Sequence, residues 1–233
     1  MKTVIDLIIF DCDGVLIDSE ILGITLALEM LNHHGINMDF HEFSSQYSGL
    51  SWNALIDKIQ HQKGVRLPAS IGNSFYTALQ EIFATSLRRI DGSLELLTSL
   101  NIPYCICSNS SGSQLNYALS LVQLEHFFAD RIFSAVDLGS GRGKPQPDIF
   151  LYAAKVFNAS PQNTLVIEDS VPGVTAAKKA GMHVTGFIGG GHTYPQHADR
   201  LLAAGADMII TSLDQFTPEI MPDTPEWNKT SFC

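Results

Sequence analysis

Two aspartates separated by one cysteine, Asp11-Cys12-Asp13, end an almost unbroken apolar run over residues 4–10 and lead into Gly14. Residues two apart on an extended strand project to the same side, so both carboxylates face one ligand. One can attack phosphorus as a nucleophile, while the other gives a proton to the leaving oxygen and later activates water. Further along, Ser108-Asn109 and Glu168-Asp169 stand at the ends of other predicted strands, and Gly143-Lys144-Pro145 leads into a predicted helix. Ser108 and Lys144 suit the non-bridging oxygens of a phosphoryl group, and the ammonium offsets negative charge. Four carboxylates in one cleft repel one another unless a divalent cation joins them, and magnesium suits such hard oxygen ligands.

These groups meet only if the chain brings the ends of distant strands together. The run 4–10 reads as a strand buried on both faces. From residue 91 onward, strand and helix patterns alternate: helices over 93–100, 112–121, 147–157, 171–180 and 197–204, strands over 103–108, 132–135, 164–168, 183–187 and 208–210. This alternation predicts an α/β fold, a Rossmann-like three-layer core with a parallel sheet between helices and a site at the carboxyl ends of its strands. Between the first strand and this region, residues 16–88 carry helical spacing over 18–31, 52–59 and 75–87 and no convincing strand. The expected organisation is a core of residues 1–15 and 89–233 with a small all-helical domain, 16–88, inserted after the first strand. The last residues, from about 217, are polar and aperiodic and read as a loosely ordered tail.

Composition removes several function classes. The chain has 233 residues, 45% of them hydrophobic, enough to bury a sizeable core, and a formal charge of -10. No Lys or Arg cluster exceeds Arg88-Arg89, which argues against nucleic acid or an anionic membrane as partner. The N-terminus shows no small-residue cleavage site and no run approaches the roughly 20 apolar residues of a membrane span. A soluble, cytoplasmic monomer acting on a small molecule is expected. Cys105 and Cys107 should share one face of a strand and point into a core; Cys12 should pack as well. His33-His34 before Gly35 read as a helix C-terminus, Gly189-Gly190-Gly191 as a flexible loop beside the site, and Asp18 either as a helix cap, with Glu20 favouring the dipole, or as a support for the site.

Four stretches, DCDGVLIDSE (11–20), CSNSS (107–111), GRGKPQPD (141–148) and VIEDSVPG (166–173), resemble in order and separation the motifs of the haloacid dehalogenase superfamily. Within it, the chain resembles the branch that holds β-phosphoglucomutase and many sugar-phosphate phosphatases, and the likeness runs from about residue 4 to 216. The resemblance implies that Asp11 is the phosphorylated nucleophile and Asp13 the general acid and base. It implies a Mg2+ ion held by Asp11, the main-chain carbonyl of Asp13 and Asp169, with Glu168 binding it directly or through water. Ser108 and Lys144 would hold the phosphate, Asn109 would support the same oxygens, and Gly14 and Gly173 would give the backbone room to turn. The insert corresponds to a helical cap that closes over the site, with Ser48, Gly49, Ser51 and Trp52 as candidate substrate contacts.

The expected activity is magnesium-dependent hydrolysis of a small phosphomonoester, a sugar phosphate, phosphorylated sugar acid or polyol phosphate, through a phospho-aspartate. Dehalogenases of the superfamily lack the second aspartate, which is present here. Phosphonatase-like members use a cap lysine as a Schiff base, and Lys58 and Lys63 are not near the start of the first cap helix. The competing reading is a phosphosugar mutase of the β-phosphoglucomutase type. Such enzymes carry a cap histidine where this chain has Gly23 and a cap arginine where it has Trp52, although Lys58 could compensate. A catalytically silent binding module is a further alternative, disfavoured because every implied catalytic position keeps a competent side chain.

Overall fold

The structure is a computed structural model that describes residues 4–50 and 52–216. Ser51 and the predicted tail from 217 lie outside the described residues. The first strand, β1 (Leu7–Phe10), is fully buried. Its side chains alternate between two cores: Ile8 and Phe10 join Ile106 on one face, while Leu7 and Ile9 join Cys105 and Cys107 on the other. The two cysteines therefore share a face as expected, and Cys12 is buried in the opposite core. A strand covered on both sides needs no polar alternation, which is why the sequence reads as a continuous apolar run.

Before the sheet resumes, the chain forms α1 (Ser19–His33), α2 (Phe40–Tyr47), α3 (Trp52–Lys63) and α4 (Ile71–Ser86). These helices enclose a third core of their own, including Ile24, Leu31, Phe43, Tyr47, Ile59 and Phe75. The spacing of Phe40, Phe43 and Tyr47 forms the apolar stripe of α2, and Asp39 caps it by accepting the Glu42 amide at 2.8 Å. That helix was not resolved by periodicity, because only three of its eight residues are apolar. The two chain passages between helices and sheet run side by side, joined by Asp18 N–H to Arg88 O at 2.9 Å and Ile90 N–H to Leu16 O at 3.0 Å.

After α5 (Ser93–Ser99), strands and helices alternate: β2 (Tyr104–Ser108), α6 (Gly112–Leu121), β3 (Ile132–Ser134), α7 (Asp148–Val156), β4 (Thr164–Glu168), α8 (Val171–Lys179), β5 (His183–Phe187), α9 (His197–Ala204) and β6 (Met208–Ile210). Six strands pair in parallel in the order β3-β2-β1-β4-β5-β6. α5 and α6 cover one face, and α7, α8 and α9 the other. The sheet order reverses beside β1, and Phe10 pairs with Ile106 on one side and Ile167 on the other. This register sets Asp11 level with Cys107 and Glu168, so the predicted site residues leave the sheet at one edge, at the point where α/β folds open a crevice.

Candidate active site

Three strand ends and one loop build the site. Asp11 continues β1, its amide donating to Ile167 O at 2.9 Å, and it is 7% exposed. Lys144, equally buried, donates its ammonium to Asp11 Oδ1, to Glu168 Oε1 at 2.5 Å and to Cys107 O at 2.8 Å. Burial alone would depress the lysine, but the Asp11 and Glu168 carboxylates outweigh it and raise its pKa. Its loop is held by Asn109, which accepts the Lys144 amide at 2.8 Å and donates to Lys144 O at 3.3 Å. The same amide group donates to Gly49 O at 3.2 Å, so Asn109 ties the α2–α3 loop to the sheet edge.

Asp13 lines the same cavity with different partners. Its Oδ1 accepts Ser19 Oγ at 2.7 Å, and its Oδ2 accepts Ser110 Oγ at 2.8 Å and Ser108 Oγ at 3.3 Å. The two aspartates are thus held by different partners, a cation for Asp11 and hydroxyls for Asp13, as two distinct chemical roles require. Ser111 caps α6 reciprocally with Gln114, which leaves Ser108 and Ser110 free to face Asp13.

Glu168 is wholly buried, and both its oxygens have partners. Besides Lys144, it accepts the Ser170 amide at 3.0 Å and the Ser170 hydroxyl at 2.9 Å, while Ser170 caps α8 by accepting Gly173 N–H at 3.1 Å. A Cβ at Gly173 would lie 1.9 Å from the Glu168 carboxylate, so this glycine is needed for close approach and not for a turn. Gly14 needs both: its φ is +81°, and a Cβ would lie 1.9 Å from Asp169 Oδ2. Gly173→Ala is expected to cost about 2 kcal/mol by overpacking, a loss of roughly 4–8 °C in Tm for a chain of this size, measurable by thermal melting.

Asp169 Oδ2 is buried without a hydrogen-bond partner, 3.1 Å from His192 Nε2. His197 donates through Nε2 to Asp169 O at 2.6 Å, and burial pushes its pKa down to about 4, so it is neutral. Burial raises Asp11 and Asp169 well above the usual carboxylate range; in both cases Lys144 works against this and neighbouring acids add to it. An orphaned carboxylate oxygen and two acids that resist ionisation are what a divalent cation relieves, and the available donors are all oxygens, which fits Mg2+. Among the described residues, no three His, Cys, Asp or Glu side chains gather at metal-ligand spacing. A set of two carboxylates and a main-chain carbonyl does not require them to.

A cavity of about 1050 Å³ opens between this sheet edge and the helices, and Asp11, Asp13, Ser108, Asn109, Lys144 and Asp169 line it. Of the loop candidates, Ser48, Gly49 and Trp52 reach it, while Ser51 lies outside the described residues. Gly49 has φ +77°, and a Cβ there would lie 2.6 Å from Ser170 Cβ. Trp52 is stacked on Phe75, with ring centroids 3.8 Å apart. Lys58 donates to Gln46 O at 2.7 Å and does not line the cavity.

Two expectations need correction. Asp18 makes no side-chain cap to α1; its Oδ1 accepts Gly191 N–H at 2.9 Å and fastens the triple-glycine loop, which is closely packed and not free. A Cβ at Gly190 would lie 2.9 Å from Gly14 O. Glu20 is in the first turn of α1 as read, but it is half-buried in the cavity wall, where burial pushes its pKa up to about 8. Ser19, Ser110, Glu20, His192 and His197 are the site residues that the sequence reading did not single out. Ser19, Glu20 and Ser110 fall within the stretches 11–20 and 107–111, and the histidine that follows three glycines shortly after β5 was a further usable signal.

Residues 8–187 match the haloacid dehalogenase-like hydrolase family. The chain is 31% identical over 192 residues to a 6-phosphogluconate phosphatase of Escherichia coli, covering 82% of this chain and 86% of that one. It is 33% identical over 223 residues to a probable pseudouridine-5'-phosphatase of Drosophila melanogaster, covering 91% of each. A solved haloacid dehalogenase-like protein of unknown function from Agrobacterium tumefaciens superimposes with a TM-score of 0.82 at 42% identity, covering 90% of this chain and 94% of that one. With the family matched along most of its length and phosphatases among its relatives, the chain belongs to the haloacid dehalogenase-like hydrolase family, as one of its phosphatases.

Proposed function

We propose that this enzyme hydrolyses a small phosphomonoester, a sugar phosphate, phosphorylated sugar acid or polyol phosphate, with Mg2+ and through a phospho-aspartate at Asp11. The observation that carries this reading is the separate tethering of the two aspartates, Asp11 by Lys144 and Asp13 by Ser19, Ser108 and Ser110. An Asp11 oxygen attacks phosphorus while the phosphorus–ester oxygen bond breaks, and Asp13 gives its proton to the departing alcohol. Water then attacks the same phosphorus, passes a proton to Asp13, and releases phosphate from Asp11.

Asp11, the Asp13 main-chain carbonyl and Asp169 would hold Mg2+, which when bound supplies positive charge to the nucleophile and the phosphoryl oxygens. Glu168, with both oxygens hydrogen-bonded, acts in this scheme by fixing Lys144 and α8, and it would support the metal directly or through water. Lys144, Ser108 and Asn109 hold the phosphoryl group and its loop. Residues 16–88 act as the cap, which excludes water while the acyl phosphate exists. The working unit is taken to be a cytoplasmic monomer; no helix among the described residues is long and apolar enough to cross a membrane.

Hydrolysis is preferred to phosphosugar mutation because, among the described residues that line the cavity, no cap cation is offered to a second phosphate. Trp52 stands at the position concerned, and a Cβ at Gly23 would meet only open space. Loss of one charge-assisted pair of that kind costs about 1.5–3 kcal/mol, roughly one to two orders of magnitude in affinity. With β-glucose 1-phosphate and catalytic β-glucose 1,6-bisphosphate, free phosphate is expected to outpace glucose 6-phosphate. Glucose 6-phosphate forming much faster would establish the mutase instead. A panel of phosphorylated metabolites, scored for Mg2+-dependent phosphate release, tests the proposal as a whole.

A further inference from the structure

Resting on the phosphatase reading above, we propose that the substrate is the phosphomonoester of an uncharged polyhydroxyl compound, and that the cleft selects against phosphates carrying a second anionic group. Among the described residues that line the cavity, four are acids, Asp11, Asp13, Glu20 and Asp169, and Lys144 is the only cation. Its ammonium is already shared between Asp11, Glu168 and Cys107 O, and a bound phosphoryl group claims whatever remains.

Three cations that adjoin the lining segments in sequence or by contact have other partners. Lys58 is held by Gln46 O and lies over the Tyr47 ring, Arg142 faces Asp148 at 3.8 Å, and Arg200 donates to Ser45 O. None of these three lines the cavity. The rest of the wall includes Trp52 with its neighbour Tyr76, the neutral amides of Asn53, Gln80 and Gln114, and, close to the site's own acids, the carboxyl of Glu20. Amides and a carboxyl can exchange hydrogen bonds with hydroxyl groups, and an aromatic wall suits the C–H face of a sugar or polyol. A carboxylate or second phosphate placed there would lose its hydration and gain no cation in return. A divalent ion at the nucleophile would not change this, since its charge is matched by Asp11, Asp169 and the transferring phosphate.

Glucitol 6-phosphate and 6-phosphogluconate form a matched pair that differ at one terminus, an alcohol against a carboxylate. Each is used as a competitor of Mg2+-dependent p-nitrophenyl phosphate hydrolysis, which measures affinity whether or not the competitor is turned over. The expected result is at least about tenfold tighter competition by glucitol 6-phosphate, the scale of one missing charged partner. Asn53→Lys, which puts an ammonium on the exposed first turn of α3, should shrink that ratio at least about fivefold. Equal competition, absence of competition by both, tighter binding of 6-phosphogluconate, or a ratio unmoved by Asn53→Lys overturns the inference while leaving the phosphatase reading in place. Failure to hydrolyse p-nitrophenyl phosphate at all would overturn both.

Discussion

Asp11→Asn is expected to lower phosphate release by at least about three orders of magnitude, roughly 4 kcal/mol of transition-state stabilisation, while the protein stays folded. An amide oxygen carries no charge with which to attack phosphorus, and its product would not be an acyl phosphate that water can cleave. The fold should tolerate the change because the two side chains are nearly isosteric, and Lys144 keeps Glu168 and Cys107 O as partners. Stability should hold or rise. Burial and the neighbouring Glu168, Asp169 and Asp13 raise the Asp11 pKa in the folded chain, so its ionised form opposes folding as pH rises above the ordinary carboxylate range. Removing that charge removes the penalty. Melting temperature and phosphate release measured on the same preparation separate the outcomes, and activity above one tenth of the parent would show that Asp11 is not the nucleophile.

Removal of Mg2+ with a chelator should be comparably severe for turnover, and the metal should leave a second mark on stability. A ligand present at about a hundred times its dissociation constant stabilises the folded state by about 2.7 kcal/mol, which is roughly 5–10 °C in Tm for a chain of this length. The sign of the pH effect follows from the same acids. Asp11 and Asp169 hold their protons above the usual range in the metal-free site, and Mg2+ must displace those protons to bind. The Tm increment produced by Mg2+ is therefore expected to grow as pH rises from about 5 toward 8 and to shrink in acid. Differential scanning calorimetry with and without the ion at both pH values measures it. An increment independent of pH would separate the metal from these two carboxylates.

Most of the sheet was legible because each strand of the core carries its own evidence. LIIF, YCIC and TLVI are β-branched or apolar throughout, with the polar Ser108 and Glu168 closing the last two strands, and the helices between them repeat at helical spacing. The strand ends then locate Asp11, Ser108 and Asp169 by topology alone. What was not legible depends on contacts between residues far apart in the chain. Ser108, Ser110 and Ser111 are three hydroxyls in one short loop, and nothing local says that Ser110 turns back 97 residues to Asp13 while Ser111 caps a helix. Glu168 beside Asp169 reads as an acid near the metal, and nothing local says that Lys144 and Ser170 also partner its two oxygens. Asp18 has the form of a helix cap, yet its partner is an amide 173 residues away. His192 lies outside the four stretches and Glu20 only closes the first of them, and the fold alone brings one to Asp169 and the other into the cavity.

The central claim is the covalent intermediate, and chemical trapping tests it most directly. During turnover of a phosphomonoester with Mg2+, an acyl phosphate at Asp11 is open to borohydride reduction, which converts that aspartate to homoserine, while free carboxylates are not reduced. Peptide mapping by mass spectrometry is expected to find homoserine at Asp11 only when substrate and Mg2+ are both present, and at no other acid. Continued phosphate release with Asp11 unreduced, or reduction at a different carboxylate, would contradict the account.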